Sequence, residues 1–216
     1  MNELVFALHI LAVLGAVYAF SFFEKAGLYV IFALQVVFAN LFILKQTSLF
    51  GLIVTTTDCF TIGSFITLNM IRERYGKKSS DSAILAGLCS MLFLPLMSFF
   101  LLSYESIAEN ILMHSLYETL LLPSLRIFAV SLICMVTFQK LDTIVFSKLR
   151  KAFSLQGSMI FSLCLTQFLD TYCFTYGALS GIMENLPSIF LFSYLIKIIA
   201  ISIMTPASKL LMRRIS

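Results

Sequence analysis

One eight-residue pattern occurs twice in apolar surroundings. Gln139-Lys140-Leu141-Asp142-Thr143-Ile144-Val145-Phe146 and Gln167-Phe168-Leu169-Asp170-Thr171-Tyr172-Cys173-Phe174 share QxLDTxxF, 28 residues apart. Gln and Asp are three residues apart, so on a helix they share a face, and Phe four beyond Asp extends the stripe. Each copy therefore shows an amide, a carboxylate and a ring on one side. A charge at bilayer depth costs about 2.5–3.5 kcal/mol even on the lenient insertion scale, so it normally faces a partner or a cavity. The bland reading is interhelical hydrogen-bonding glue. Duplication of the Gln/Asp pair favours a functional site.

Other polar residues fall near the middle of apolar runs. At 1.5 Å per residue, Asn40 is expected about 18 Å into its segment, Asp58 about 12 Å and Lys197 about 15 Å. That is the depth at which transporters place their substrates. Lys197 can neutralise one of the three intramembrane aspartates, Asp58, Asp142 and Asp170, and a purely structural ion pair is its alternative. Asp142 is expected about 9 Å from the basic residue Lys148, with Asp170 one to three turns deeper. Tyr172, Phe174 and Phe146 are the aromatic candidates nearest the motif. His9 and His114 are lone residues, and His9 reads as packed or interfacial.

The elements that must hold these groups follow from composition. The chain has 216 residues, of which 60% are hydrophobic and only 12% charged. A soluble domain carries roughly 25% charged residues, and a disordered chain is polar. The five cysteines, Cys59, Cys89, Cys134, Cys164 and Cys173, lie singly, with no CxxC pair, which excludes a disulfide scaffold or a zinc ribbon. An all-α polytopic membrane protein remains, a bundle of six to seven transmembrane helices forming a single domain over residues 1–216. Seven apolar segments are expected to span: Leu4–Phe23, Leu28–Leu44, Phe50–Ile71, Ser82–Leu102, Leu121–Phe146, Gln156–Tyr176 and Leu186–Leu210. Continuous apolar runs without period-two alternation argue for helices over a barrel. Met1-Asn2-Glu3 is acidic rather than basic, so the first segment reads as a span and not as a signal peptide. Pro187 is placed at a helix start, and Pro95 is a candidate kink.

Lys and Arg set the direction. Arg72, Arg74, Lys77 and Lys78, then Lys148, Arg150 and Lys151, then Lys209, Arg213 and Arg214 mark one side. Glu105, Glu109, Glu118 and Glu184 mark the loops on the other. The positive-inside rule puts the first set, and the C-terminus, in the cytoplasm. The net charge of +4 is thus a topology signal and not a nucleic-acid signal. The stretch Tyr104–Leu120, with Ile107, Ile111 and Leu112 between acids, is either an interfacial helix or an acidic solvated loop.

The order and spacing of several pieces resemble the queuosine precursor transporter family, also called vitamin uptake transporters. They run from about Leu28 to Pro206: Phe38-Ala39-Asn40 with Lys45 and Phe50-Gly51; Thr57-Asp58 with Ile62-Gly63; Leu68-Asn69 leading to Glu73-Arg74-Tyr75-Gly76-Lys77-Lys78; Arg126-Ile127 with Ser131; Gln139, Asp142 and Phe146; Gln167, Asp170-Thr171 and Phe174; and Tyr194 and Lys197 with Thr205-Pro206. The chain departs from the pattern at Asn69, where many members have Asp, and at Ser79-Ser80, where a basic residue follows the Gly-Lys-Lys. The resemblance implies uptake of 7-deazaguanine precursors of queuosine, or of queuine, across the bacterial cytoplasmic membrane. It also adds Asn69, Glu73 and Arg126 to the substrate-binding candidates. A guanine-type edge presents two N–H donors that one carboxylate can accept together, Gln can pair the ring oxygen, and Phe or Tyr can stack. A flavin or another flat heterocycle would meet the same groups.

Three other readings compete. An intramembrane aspartyl protease would use Asp142 and Asp170, but neither lies in a Gly-x-Gly-Asp or Tyr-Asp setting. A substrate-capture subunit would borrow energy from partner ATPases. A structural protein would need the motif only for abundance. No Walker A motif, metal-ligand run or Ser/His/Asp set is present, so no enzyme activity, cofactor, metal or nucleic-acid partner is expected. The expected partners are a small solute and the bilayer, with a homo-oligomer or a partner ATPase left open.

Overall fold

Gly76 decides how the longest helical run is used. In the computed structural model, helix α3 (Asp58–Ser103) is interrupted at Gly76, whose φ of 79° and ψ of −176° are not helical. That region is essentially open to glycine alone. The chain reverses there. On the arm of residues 58–75, Thr67 Oγ1 donates to Gln35 of α2 (Glu24–Leu41). On the arm of residues 77–103, Ser79 O accepts from Tyr29 near the start of α2, while Met91 meets Asn40 near its end. The second arm therefore runs parallel to α2, and the first runs antiparallel to it.

The structure describes residues 1–43, 45–55, 57–105, 111–121, 125–181 and 183–215. Around α2 and α3 stand α1 (Asn2–Ser21), α5 (Leu125–Leu149), α6 (Leu155–Ala178) and α7 (Leu186–Ile215), with a short α4 (Ile111–Leu121). Among the described residues, seven helices thus make an all-helical protein apart from one hairpin, β1 (Gln46–Leu49) and β2 (Leu52–Thr55). Five helices among the described residues are long and apolar enough to cross a membrane: α1, α2, α3, α5 from Arg126, and α7 as far as Ala207.

Helix α6 is missing from that group because its polar residues are many, and most of them point inward. Ser158, Ser162, Thr166, Gln167, Asp170, Thr171 and Thr175 are buried. Phe161, Leu165, Phe168 and Tyr172 on the opposite side are exposed. This polarity is the reverse of a soluble amphipathic helix, and it suits an apolar solvent.

The third expected span needs correction. Residues from Phe50 to Ile71 do not form one helix. Phe50 and Gly51 make a two-residue turn with φ of 53° and 78°, β2 follows, and α3 starts only at Asp58. Leu52-Ile53-Val54-Thr55 is β-branched at three of four positions, which favours an extended chain. Asp58 is therefore the first helical residue and not 12 Å inside a helix. Asn2 of α1 pins the hairpin by donating to Thr47 Oγ1 and Ser48 O, and Glu3 accepts from Phe50 N. The remaining spans differ from expectation by a few residues at their ends. Leu121 closes α4 and α5 begins at Leu125. Of the two readings for Tyr104–Leu120, α4 makes its second half helical, while Ile107 and Glu109 lie outside the described residues. Pro187 does fall in the first turn of α7.

Candidate functional site

Helix α7 brings one cation to two carboxylates. Lys197 Nζ donates to Asp170 Oδ2 at 3.1 Å and to Thr171 Oγ1 at 3.0 Å on α6. The same nitrogen lies 3.9 Å from Asp58 Oδ1 at the start of α3. One turn earlier on α7, Ser193 Oγ donates to Asp58 Oδ2 at 3.3 Å. All three charged groups are buried, with Lys197 only 5% exposed. Lys197 was expected to neutralise one aspartate; it stands between two and favours Asp170. Two carboxylates share one ammonium, and no other Lys or Arg lines this site among the described residues.

Beside the cluster is a cavity of about 630 Å³. Asn40 stands on its α2 wall and accepts from Ser131 Oγ of α5. Gln139 stands on the α5 wall, buried, with an Oε1 that makes no hydrogen bond among the described residues. Phe174 of α6 provides an aromatic face, and Glu184 and Asn185 line it from the α6–α7 connection. The hairpin contributes Gly51, Val54 and Thr55. These pieces all belong to one end of the bundle. The basic turns at residues 72–78 and 148–151 belong to the other, so the cavity opens away from them.

Seven of the thirteen candidates thus line the cavity: Asn40, Asp58, Gln139, Asp170, Thr171, Phe174 and Lys197. Six do not. Asp142 is fully buried in a seam between α3, α5 and α6, where it accepts from Asn69 Nδ2 at 2.8 Å, Ser162 Oγ at 2.5 Å and Thr166 Oγ1 at 3.2 Å. Asn69 is thereby a donor to a carboxylate, a role that an ionised aspartate could not fill. Gln167 is buried, and neither its amide nitrogen nor its oxygen has a partner among the described residues. Phe146 is in the hydrophobic core. Glu73 pairs with Arg150 at 2.9 Å. Arg126 donates to the carbonyls of Gly177 and Ser180, both at 2.8 Å, and so holds the end of α6.

The octets are used crosswise: α5 gives the cavity its glutamine, and α6 gives its aspartate, threonine and phenylalanine. Helix geometry explains the split. The motif face of each helix is long enough to meet two environments, and the helices run in opposite directions. Ser193, Ser131, Thr175 and the hairpin threonine were not among the expected site residues. A signal for part of this set was present, since Ser193 is one turn from Lys197, and Ser158, Ser162, Thr166 and Asp170 recur every four residues on α6.

The far end of the bundle is closed. Besides the Asp142 seam, Arg72 Nε donates to Ser147 Oγ at 2.8 Å, and Arg150 Nε donates to Glu73 Oε1 at 2.9 Å. Each contact joins α3 to α5 or to the residue following it.

Residues 56–211 match the family described as "Putative vitamin uptake transporter". The chain is also 30% identical over 181 residues to a protein of Bacillus subtilis (strain 168) named "Probable queuosine precursor transporter". That similarity covers 81% of this chain and 79% of the relative. No solved structure matches. The family match extends from just before Asp58 to beyond Lys197 and so takes in both octets. On that match the chain belongs to the vitamin uptake transporters, multi-pass membrane proteins that carry solutes rather than transform them.

Proposed function

We propose that this protein takes up a flat, donor-rich heterocycle of the 7-deazaguanine class, a precursor of queuosine or queuine itself, across a bacterial cytoplasmic membrane. The observation that carries the reading is the buried Asp58–Lys197–Asp170 cluster opening on a cavity. The name of the Bacillus subtilis relative supports the solute class. Two carboxylates against one ammonium leave the cluster short of positive charge. A guanine-type edge supplies two parallel N–H groups, and Asp170 accepts them in the bidentate manner of a charge-assisted pair. Gln139, with its unused carbonyl, meets a further N–H, and Phe174 stacks on the ring, a contact worth about 1–3 kcal/mol by analogy with base stacking. Asp58, Lys197 and Asn40 complete and electrically balance the wall.

Under the positive-inside rule the basic turns and the C-terminus are cytoplasmic. The cavity then opens outward, as uptake requires, and the α3–α5 contacts form the cytoplasmic closure. Transport proceeds by alternating access around the cluster, with the whole chain acting as one transmembrane unit. The test is queuosine formation in cells that cannot make the precursor and carry this gene. At limiting precursor, Asp170→Asn at equal membrane abundance is expected to lose most tRNA modification. Full modification by that variant would refute the role given to Asp170. No modification by the unaltered protein would refute the solute.

A further inference from the structure

The two octets lie on antiparallel neighbours, and the contacts between α5 and α6 fix their register. Arg126 donates to Gly177 O and Ser180 O, Val130 packs against the bare face of Gly177, and Asp142 accepts from Ser162 and Thr166. Interpolation between these contacts sets Gln139 level with Gln167. Three residues from that level, about 4.5 Å along a helix, is Asp170 toward the cavity on α6 and Asp142 toward the basic turns on α5. A two-fold axis through the glutamine layer, perpendicular to both helices, therefore exchanges one octet with the other.

The two aspartates serve opposite sides and have different partners. Asp170 stands at the open end. Asp142 stands at the matching depth of the closed end, held by three neutral donors: Asn69 Nδ2, Ser162 Oγ and Thr166 Oγ1. No ion pair reaches it among the described residues. The layer between them is short of partners, since among the described residues the buried Gln167 amide has neither atom bonded and Gln139 Oε1 is likewise without a donor. A buried amide without partners is costly to keep. A seam needed only for packing gains nothing from a wholly unbonded amide level with a second unused amide oxygen.

We infer that Asp142 is a second solute-binding carboxylate, used when the cavity faces the basic side, and that Gln139 and Gln167 form the layer shared by both positions. This rests on the transport function proposed above. The neutral donors on Asp142 occupy the positions that the N–H groups of a flat solute take. When the closed side opens, Asn69 leaves with its arm of α3, solute donors replace it, and Asp170 is left to Lys197. Inverted repeats give transporters two faces from one site in this way.

The test compares labelled queuine uptake into right-side-out and inside-out membrane vesicles. Asp142→Asn should raise KM at the inner face about tenfold, the loss of one charge-assisted hydrogen bond, and change the outer KM by less than about threefold. Asp170→Asn should do the converse. Equal changes at both faces in Asp142→Asn overturn the inference. Should that variant fail to accumulate, S162C in a protein whose five native cysteines are serine gives a second reading. An impermeant maleimide is expected to label it from the inner face only, more slowly with queuine present, and labelling from neither face overturns the inference. If unaltered vesicles carry no queuine, the proposed function fails, while inner-face labelling of S162C still supports the second position.

Discussion

Glu73 and Arg150 meet at 2.9 Å and tie the first arm of α3 to the end of α5, on the side of the bundle away from the cavity. Both are partly exposed, so the pair adds only about 0–1 kcal/mol to overall stability. Its position gives it another role. It forms when that side is shut, and it is one turn beyond the Asn69–Asp142 hydrogen bond. Glu73→Gln is expected to leave the melting temperature in detergent nearly unchanged. It should weaken solute binding at the cavity face about fivefold, the effect of ~1 kcal/mol on a two-state balance. The exchanged pair E73R/R150E should restore binding. A melting loss without any change in affinity would make the pair a staple and not a latch.

Lys197 carries a larger thermodynamic load. Lys197→Met removes the ammonium from between Asp58 and Asp170 and leaves two buried carboxylates facing each other. Breaking a buried pair costs about 3–5 kcal/mol. The variant is expected to melt well below the parent protein, and adding Asp170→Asn should recover part of the loss, because one uncompensated charge is removed. Thermal unfolding of the purified proteins checks both. A single variant as stable as the parent would mean that the cluster holds little charge.

Much of this arrangement was readable from the residue order, and the reasons for the rest are physical. Apolar runs located α1, α2, α5, α6 and α7 within a few residues, because lipid-spanning length and hydropathy act locally. The hairpin is not legible in the sequence, since Leu52-Ile53-Val54 is as apolar as any helix and a short apolar run does not declare its period. Read as one helix, the segment carries Asp58 to the midplane, whereas the hairpin leaves it at a helix start. Lys197 was legible as a partner for aspartate, but its sharing between Asp58 and Asp170 depends on how α7 crosses α3 and α6. Helix face assigned Gln139 and Asp142 to one side; only packing put one beside a cavity and the other in a seam.

Gly76→Ala tests the reversal of α3. At φ 79° and ψ −176° an L residue costs about 1–3 kcal/mol, although no neighbour lies within 4 Å of the added methyl. The cost is therefore in the backbone alone. Gly15→Ala is the matched control, since Gly15 also has open space but lies in α1 with helical geometry. It is expected to be neutral or stabilising by up to ~1 kcal/mol. Equal melting temperatures for the two variants would show that the chain turns without the conformation described for Gly76.

Phe50 offers the opposite kind of change. It holds φ 53° in a two-residue turn whose second position is Gly51 at φ 78°, a backbone that favours Asn-Gly. Its side chain is exposed, so little packing is lost on replacement. The strain is offset in part by Glu3, which accepts from Phe50 N at 3.1 Å. Phe50→Asn is expected to stabilise by roughly 0.5–1 kcal/mol through a better fit to the left-handed region. Glu3→Ala should destabilise by roughly 0.5–1.5 kcal/mol through loss of the hydrogen bond. The two act on different terms, side-chain fit and a backbone donor that every residue at position 50 keeps. Their effects on the melting temperature should therefore add in the double variant. A double variant that loses the benefit of asparagine would show instead that Glu3 sets the turn conformation, and that the N-terminal helix holds this wall of the cavity in place.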